Sequence, residues 1–329
     1  MTEAPVSRAR ILLAFGAVYL IWGSTYLAIR LAVETIPPFL MAGVRFGSAG
    51  AVLYGLLRAR GAPRPTRSQW RMTAIAGALM IAGGNGLLSW SEQYIPSGLA
   101  ALLVATVPLW FVAFMWLGPD REKPNSLEAT GLLVGLASVA ILIGGSGEGI
   151  GLAGASTLQA AWGTAAVLVA TISWAAGSMY SRRAPLPRPT LFATAMTMLG
   201  GGAVLLIMGI LSGELARVDF SAISGRSIVA LAYLSVFGSI VAFSAYGWLL
   251  RAVRPALVGT YAYVNPVVAV LLGWWLVDER LTGAMVIGSA GVIGSVILAQ
   301  RGRVRAERSG AKTRAESPST GTPAAPVEV

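Results

Sequence analysis

Ten stretches of about twenty mostly apolar residues, joined by short polar connections, fix what this chain can become. A helix needs roughly 20 such residues to cross a bilayer. The stretches run 11–33, 38–59, 70–90, 97–117, 126–144, 157–182, 190–211, 227–250, 255–277 and 281–300. Connections such as "ARGAPRPTRSQ", "GPDREKPN" and "RRAPLPRP" are rich in Pro, Gly and charge, and too short to hold a soluble domain. Of the 329 residues 55% are hydrophobic and only 12% charged, against about 25% charged in soluble domains. Such a chain has no surface to offer water. The expected class is an all-α integral membrane protein of ten transmembrane helices. The first stretch has no small-residue cleavage site and holds its polar cluster within it, which predicts a retained helix. Residues 1–10 form a short N-terminal segment. Residues 301–329 are basic, then rich in Ser, Thr, Pro and Ala, a composition that predicts a disordered tail.

There is no cysteine and no histidine. Disulfides, thiolate chemistry, the usual zinc ligand and the usual general base are therefore absent from the sequence. No nucleotide-binding loop or metal-ligand cluster stands out, so no cofactor, metal or catalytic residue is expected. The net charge of +11 is carried by residues scattered between apolar runs. That pattern sets membrane orientation rather than binding nucleic acid. With the N-terminus inside, 20 of the 25 Lys and Arg fall on the cytoplasmic side. The positive-inside rule then puts both termini in the cytoplasm.

The chain also repeats itself. Pro108 and Pro266, Asp120 and Asp278, and Trp90 and Trp248 share one offset of 158 residues. Trp22 parallels Trp174, and "GLASVAIL" from Gly135 parallels "GVIGSVIL" from Gly291. Two related units, 11–144 and 157–300, each carry five helices. An odd number per unit means that the second inserts upside down, as in secondary transporters, whose substrate site lies near the midplane between the repeats. Proline inside a membrane helix kinks it and frees a carbonyl. Pro108 and Pro266, at matching places, are read as hinges.

The segments "WGSTYLAIRLAVETIPPFLMAGVRF" (22–46), "GNGLLSWSEQYIPSGLAALLVATVPL" (84–109) and "GTYAYVNPVVAVLLGWWLVDERL" (259–281) resemble the drug/metabolite transporter superfamily, EamA family, and within it the YedA-type branch. The resemblance spans roughly residues 10 to 300. It implies a ten-helix fold in the bacterial inner membrane, a central cavity open to one side at a time, and export of amino acids, metabolites or drugs.

Among candidate site residues Arg45 is the Lys or Arg lying well inside an apolar run. It sits about 10 Å into the second helix, where insertion costs roughly 3 kcal/mol. An anchor for an anionic group would justify that cost. Snorkelling, or pairing with Glu34 or Glu92, competes with this reading. Asn85, Ser89 and Glu92 follow i, i+4, i+7 on one helix face, and Glu92 is the candidate for a coupling proton. Trp22, Thr25 and Tyr26 cluster in the first helix, Trp174 and Ser178 in the sixth, Ser239 and Tyr246 in the eighth, and Tyr261, Tyr263 and Asn265 in the ninth. Aromatic rings with polar tips suit amphipathic molecules, and Trp90 joins them as half of a repeat-related pair. The competing role for aromatic residues is the interfacial belt, to which Trp70, Trp116, Trp274 and Trp275 are assigned. Gly43/Gly47 and Gly131/Gly135 are read as packing sites.

The function expected is secondary export of small amphipathic metabolites by alternating access, with the lipid bilayer and a small-molecule substrate as partners and the monomer as the simplest state. Proton antiport, exchange and facilitated diffusion all remain open. An intramembrane lipid enzyme would need a base or nucleophile at membrane depth. A non-transporting scaffold or sensor would show no flux.

Overall fold

In the computed structural model, residues 7–117, 125–144, 152, 154–187, 189–253, 261–278 and 283–316 are described. Among them every extended element is a helix. We label these α1 (Arg8–Ala32), α2 (Pro38–Ala59), α3 (Arg67–Ser91), α4 (Ser97–Leu117), α5 (Ser126–Gly144), α6 (Thr157–Arg183), α7 (Thr190–Leu211), α8 (Gly225–Leu249), α9 (Tyr261–Val277) and α10 (Gly283–Glu316). Seven of them, α1 to α4 and α6 to α8, are long and apolar enough to cross a membrane. The others contribute the shorter apolar stretches Ser126–Ser138, Val264–Val277 and Val286–Ala299.

Local signals set the helix ends. Pro38 opens α2 at a position where its missing N–H costs nothing. Thr66 with Gln69 and Ser156 with Gln159 form capping boxes at the starts of α3 and α6, each satisfying two otherwise orphaned donors. Gly61 and Gly213, at φ +87° and +76°, end α2 and α7 in the left-handed conformation that glycine adopts freely. Asp278 takes that position after α9, at φ 53°.

Three helices carry π-turns: Ala17–Ile21 in α1, Ala78–Gly86 in α3 and Leu234–Ala242 in α8. The helix α4 is interrupted at Ala105 and Thr106, between Ser97–Val104 and Val107–Leu117. The break lies just ahead of Pro108, which has no N–H for the carbonyl four residues back. Pro266 sits inside α9.

The helices pack in a recurring pattern. Helix α2 lies along α7, α5 along α10, α1 against α8 and α9, α6 against α3 and α4, and α4 against α9. Small residues permit the closest approaches. A Cβ on Gly202 would stand 2.6 Å from the Gly47 nitrogen, and one on Gly131 2.6 Å from the Ser295 carbonyl oxygen. Gly43 faces Leu206 in the same α2–α7 seam. A connected core including Ile29, Phe46, Ile81, Leu103 and Met198 fills the centre.

The final helix differs from expectation. It runs to Glu316, so 301–316, read as disordered from composition, are helical. These residues extend a helix already nucleated in α10, and Arg, Ala, Glu and Lys are strong helix formers. Residues 317–329 lie outside the described residues.

Between α7 and α8 the one-turn helix Glu214–Arg217 presents a buried carboxylate. Its two oxygens accept the backbone N–H groups of Phe39 (3.2 Å) and Leu40 (2.9 Å). The start of α2, which has no side-chain cap of its own, is thus capped from 174 residues away. Burial pushes the Glu214 carboxyl up from its ordinary value, against the opposing pull of Leu40, Phe39 and the Arg217 charge.

Candidate functional site

A cavity opens between α1, α2, α3, α4, α6, α8 and α9, enclosing about 630 Å³ of space outside the atoms, its mouth included. Eight of the residues singled out from sequence line it: Trp22, Thr25, Tyr26, Arg45, Asn85, Trp174, Tyr261 and Asn265.

Trp22 is the hub of the aromatic wall. Its ring lies 6.1 Å from Trp174 and 5.4 Å from Tyr261, both edge-on, and 6.1 Å from Phe243. Its Nε1 donates to the Gly238 carbonyl at 3.2 Å, so the indole is held by the π-turn of α8. Such edge-to-face geometry is the arrangement that the ring quadrupole favours.

Arg45 supplies the cationic end. It is 3% exposed, well inside the protein rather than snorkelling. Its Nε donates to Ser239 Oγ at 3.0 Å, its guanidinium carbon lies 4.5 Å from the Phe46 ring centre, and its Nη1 is buried without a hydrogen-bond partner. Glu92 is fully buried at the end of α3. Glu34, the other carboxylate considered for Arg45, instead faces Arg226 at 4.0 Å.

Asn265 is 2% exposed. With its amide oriented to donate, the nitrogen reaches the carbonyls of Tyr19 (3.2 Å) and Tyr261 (3.3 Å). One residue before the helix-breaking Pro266, it ties α9 to the π-turn of α1. This accounts for an amide and a proline side by side in an apolar helix: the amide joins the backbones at the weakened turn, and the same residue borders the cavity.

Several expected residues fall outside the cavity lining. Ser178 lies one turn past Trp174 and returns its hydroxyl to the Trp174 carbonyl at 2.8 Å. Trp90 packs on Tyr94 at 5.0 Å. Tyr246 stands behind Trp22, with ring centres 4.9 Å apart. Ser89 and Glu92 are buried beside the lining rather than in it. The Tyr263 side chain lies outside the described residues. Conversely, Phe46, Gly84, Leu88, Val104, Val107, Ala170, Thr171 and Phe243 line the cavity without having been singled out. Of these only Thr171 left a trace in the sequence, as a polar residue three before Trp174 on α6. It accepts the Trp110 indole N–H at 2.9 Å.

Residues 9–144 and 161–300 each match the EamA-like transporter family. The chain belongs to that family. The EamA-like chain is 42% identical over 291 residues to the uncharacterized inner membrane transporter YedA of Escherichia coli (strain K12), covering 88% of this chain and 90% of YedA. It is 24% identical to the uncharacterized transporter YvbV of Bacillus subtilis (strain 168), covering 91% and 93%. A crystal structure, 24% identical, superposes with a TM-score of 0.62 over 92% of this chain and all of the other, a likeness of fold. This EamA-like chain is a multi-helix membrane protein whose relatives are named as transporters.

Proposed function

We infer that this chain is a secondary transporter that exports small amphipathic metabolites, amino acids and related compounds or drugs, by alternating access. One observation carries the reading: a cavity joins an aromatic wall to a buried arginine with an unpartnered donor. Arg45 meets the anionic group of the substrate. Trp22, Trp174 and Tyr261 pack on its apolar body, and Asn85 and Asn265 offer hydrogen bonds. Ser89 stands in reserve beside the lining. Glu92, buried beside the lining, is the residue through which a proton would couple.

The architecture proposed is ten transmembrane helices in two inverted five-helix repeats, 11–144 and 157–300. The packing pattern supports it: exchanging α1–α5 for α6–α10 in order turns α1 on α8 into α6 on α3, and α1 on α9 into α6 on α4. The π-turns of α3 and α8 fall at corresponding places. Arg and Lys distribution supports cytoplasmic termini in the inner membrane. The interruption ahead of Pro108 and the proline within α9 are the hinges about which the repeats move. Both halves are present in one chain, so the monomer is the transporting unit.

The test compares metabolites in the medium of cells overproducing the parent, Arg45→Gln, or an empty vector, at equal membrane abundance. A compound enriched by the parent and not by Arg45→Gln supports the reading. Export by Arg45→Gln at the parental rate would remove Arg45 from the site.

A further inference from the structure

One turn of α8 holds both chemically distinctive residues of the cavity, although neither of its own residues concerned lines it. Ser239 Oγ takes up the Arg45 Nε–H at 3.0 Å. The neighbouring Gly238 lies against the other side of the guanidinium: a Cβ there would stand 2.9 Å from Nη2 and 3.1 Å from Thr25 Cγ2. The Gly238 carbonyl simultaneously fixes Trp22. Both residues belong to the π-turn Leu234–Ala242. Arginine ordinarily recognises oxyanions as a fork, two parallel N–H groups meeting two oxygens. Here the Nε edge of the fork is occupied and Nη2 is packed against backbone. Nη1 is buried without a hydrogen-bond partner.

The charge around it is also limited. Arg45 is the one cation among the residues of this lining, enough to balance one negative charge. A second negative charge on a ligand would therefore enter a poorly hydrated site without a counter-ion, an expensive arrangement. A phosphate monoester carries roughly −1.5 to −2 charges near neutral pH and three acceptor oxygens. A carboxylate carries one charge and can be met end-on by one nitrogen.

We propose that Gly238 and Ser239 are positioning residues that restrict Arg45 to end-on recognition, so that the cavity selects monoanionic carboxylates bearing an apolar body over phosphate esters of the same body. This rests on the anion-anchor reading of Arg45 and narrows it to a ligand class. Ser239 acts through Arg45, and Gly238 through both Arg45 and Trp22.

The test uses the full-length protein purified in detergent, with titration calorimetry at pH 8 and three probes sharing one ring: benzoate, benzamide and phenyl phosphate. In the parent, benzoate binds about tenfold more tightly than either of the others, the factor expected for one matched or mismatched charge contact of modest strength. Arg45→Gln and Arg45→Lys both lose the preference over benzamide. Ser239→Ala releases Nε and narrows the benzoate–phenyl phosphate ratio to about threefold or less, while Ser239→Thr, which keeps the hydroxyl, restores it. A merely structural role for Ser239 would weaken all three probes together and leave the ratio unmoved. Phenyl phosphate binding as tightly as benzoate, with both dependent on Arg45, overturns the selectivity and leaves the anion site standing. Benzoate binding no better than benzamide, or no binding of any probe, overturns the anion site and the selectivity with it. An unchanged ratio in Ser239→Ala overturns the role of Ser239.

Discussion

Replacing Glu214 by alanine removes both acceptors that cap the start of α2. The N–H groups of Phe39 and Leu40 then lose partners at 3.2 and 2.9 Å, and no local side chain replaces them. Two hydrogen bonds at a net of roughly 1 kcal/mol each give about 2 kcal/mol, or about a 30-fold rise in the fraction with this corner undocked. The pH dependence has a definite sign. The docked carboxyl is raised from its ordinary 4.5 by burial, so the docked state prefers the proton. Docking is strongest below that ordinary value and weakens as pH climbs through the raised one. Glu214→Gln, which cannot ionise, removes this slope. The chain has no native cysteine, so a single reporter can be placed at buried Ile36 and its labelling by a polar maleimide divided by that of a cysteine at exposed Ala222. The division cancels the thiol's own pH response. The ratio should rise about 30-fold in Glu214→Ala and climb with pH only when Glu214 is present. A ratio unchanged by Glu214→Ala at every pH would refute the argument that the carboxylate holds this corner shut.

Three further outcomes follow from the packing. Gly202→Ala forces a Cβ to within 2.6 Å of the Gly47 nitrogen and should destabilise by about 1–3 kcal/mol. Gly47→Ala meets nothing within 4 Å and should be neutral, and equal melting points for the two variants in detergent would contradict this asymmetry. Asn265→Ala loses the amide's contacts to Tyr19 and Tyr261 and should lower stability by about 1–2 kcal/mol, read as a reduced thermal midpoint. Trp22→Phe keeps an aromatic ring but gives up the bond to Gly238 and should cost about 1 kcal/mol, read as a lower thermal midpoint in detergent.

What the sequence revealed depended on contrast. Helix positions were legible because twenty apolar residues interrupted by Pro, Gly and Arg stand out, and α2, α4, α5 and α7 run over the residues expected. Arg45 was legible for the same reason, as a charge in an apolar run. Phe46, Leu88, Val104 and Phe243 were not: one apolar side chain among many carries no mark of facing a cavity rather than lipid. The π-turns also left no signature, since Leu234–Ala242 reads like any membrane segment, and the role of Gly238 was hidden with it, although Ser239 stood out as a polar residue seven before Tyr246. Polar periodicity misled where the helix turned a hydroxyl back on its own backbone, as Ser178 does. Nothing in the sequence marks Glu214, because its partners lie 174 and 175 residues away. Long-range pairing is the information that a single sequence withholds.

The length of α10 has a mechanical meaning. Its 34 residues span about 51 Å at 1.5 Å per residue, against roughly 30 Å of hydrocarbon. In the ten-helix arrangement proposed above, about 20 Å of helix stands clear of the bilayer as a stiff post. A fluorophore fixed near Glu316 would ride on that post as the tip of a lever, turning small changes of tilt at the membrane into measurable displacement and making the C-terminus a place from which motion of the helices can be watched.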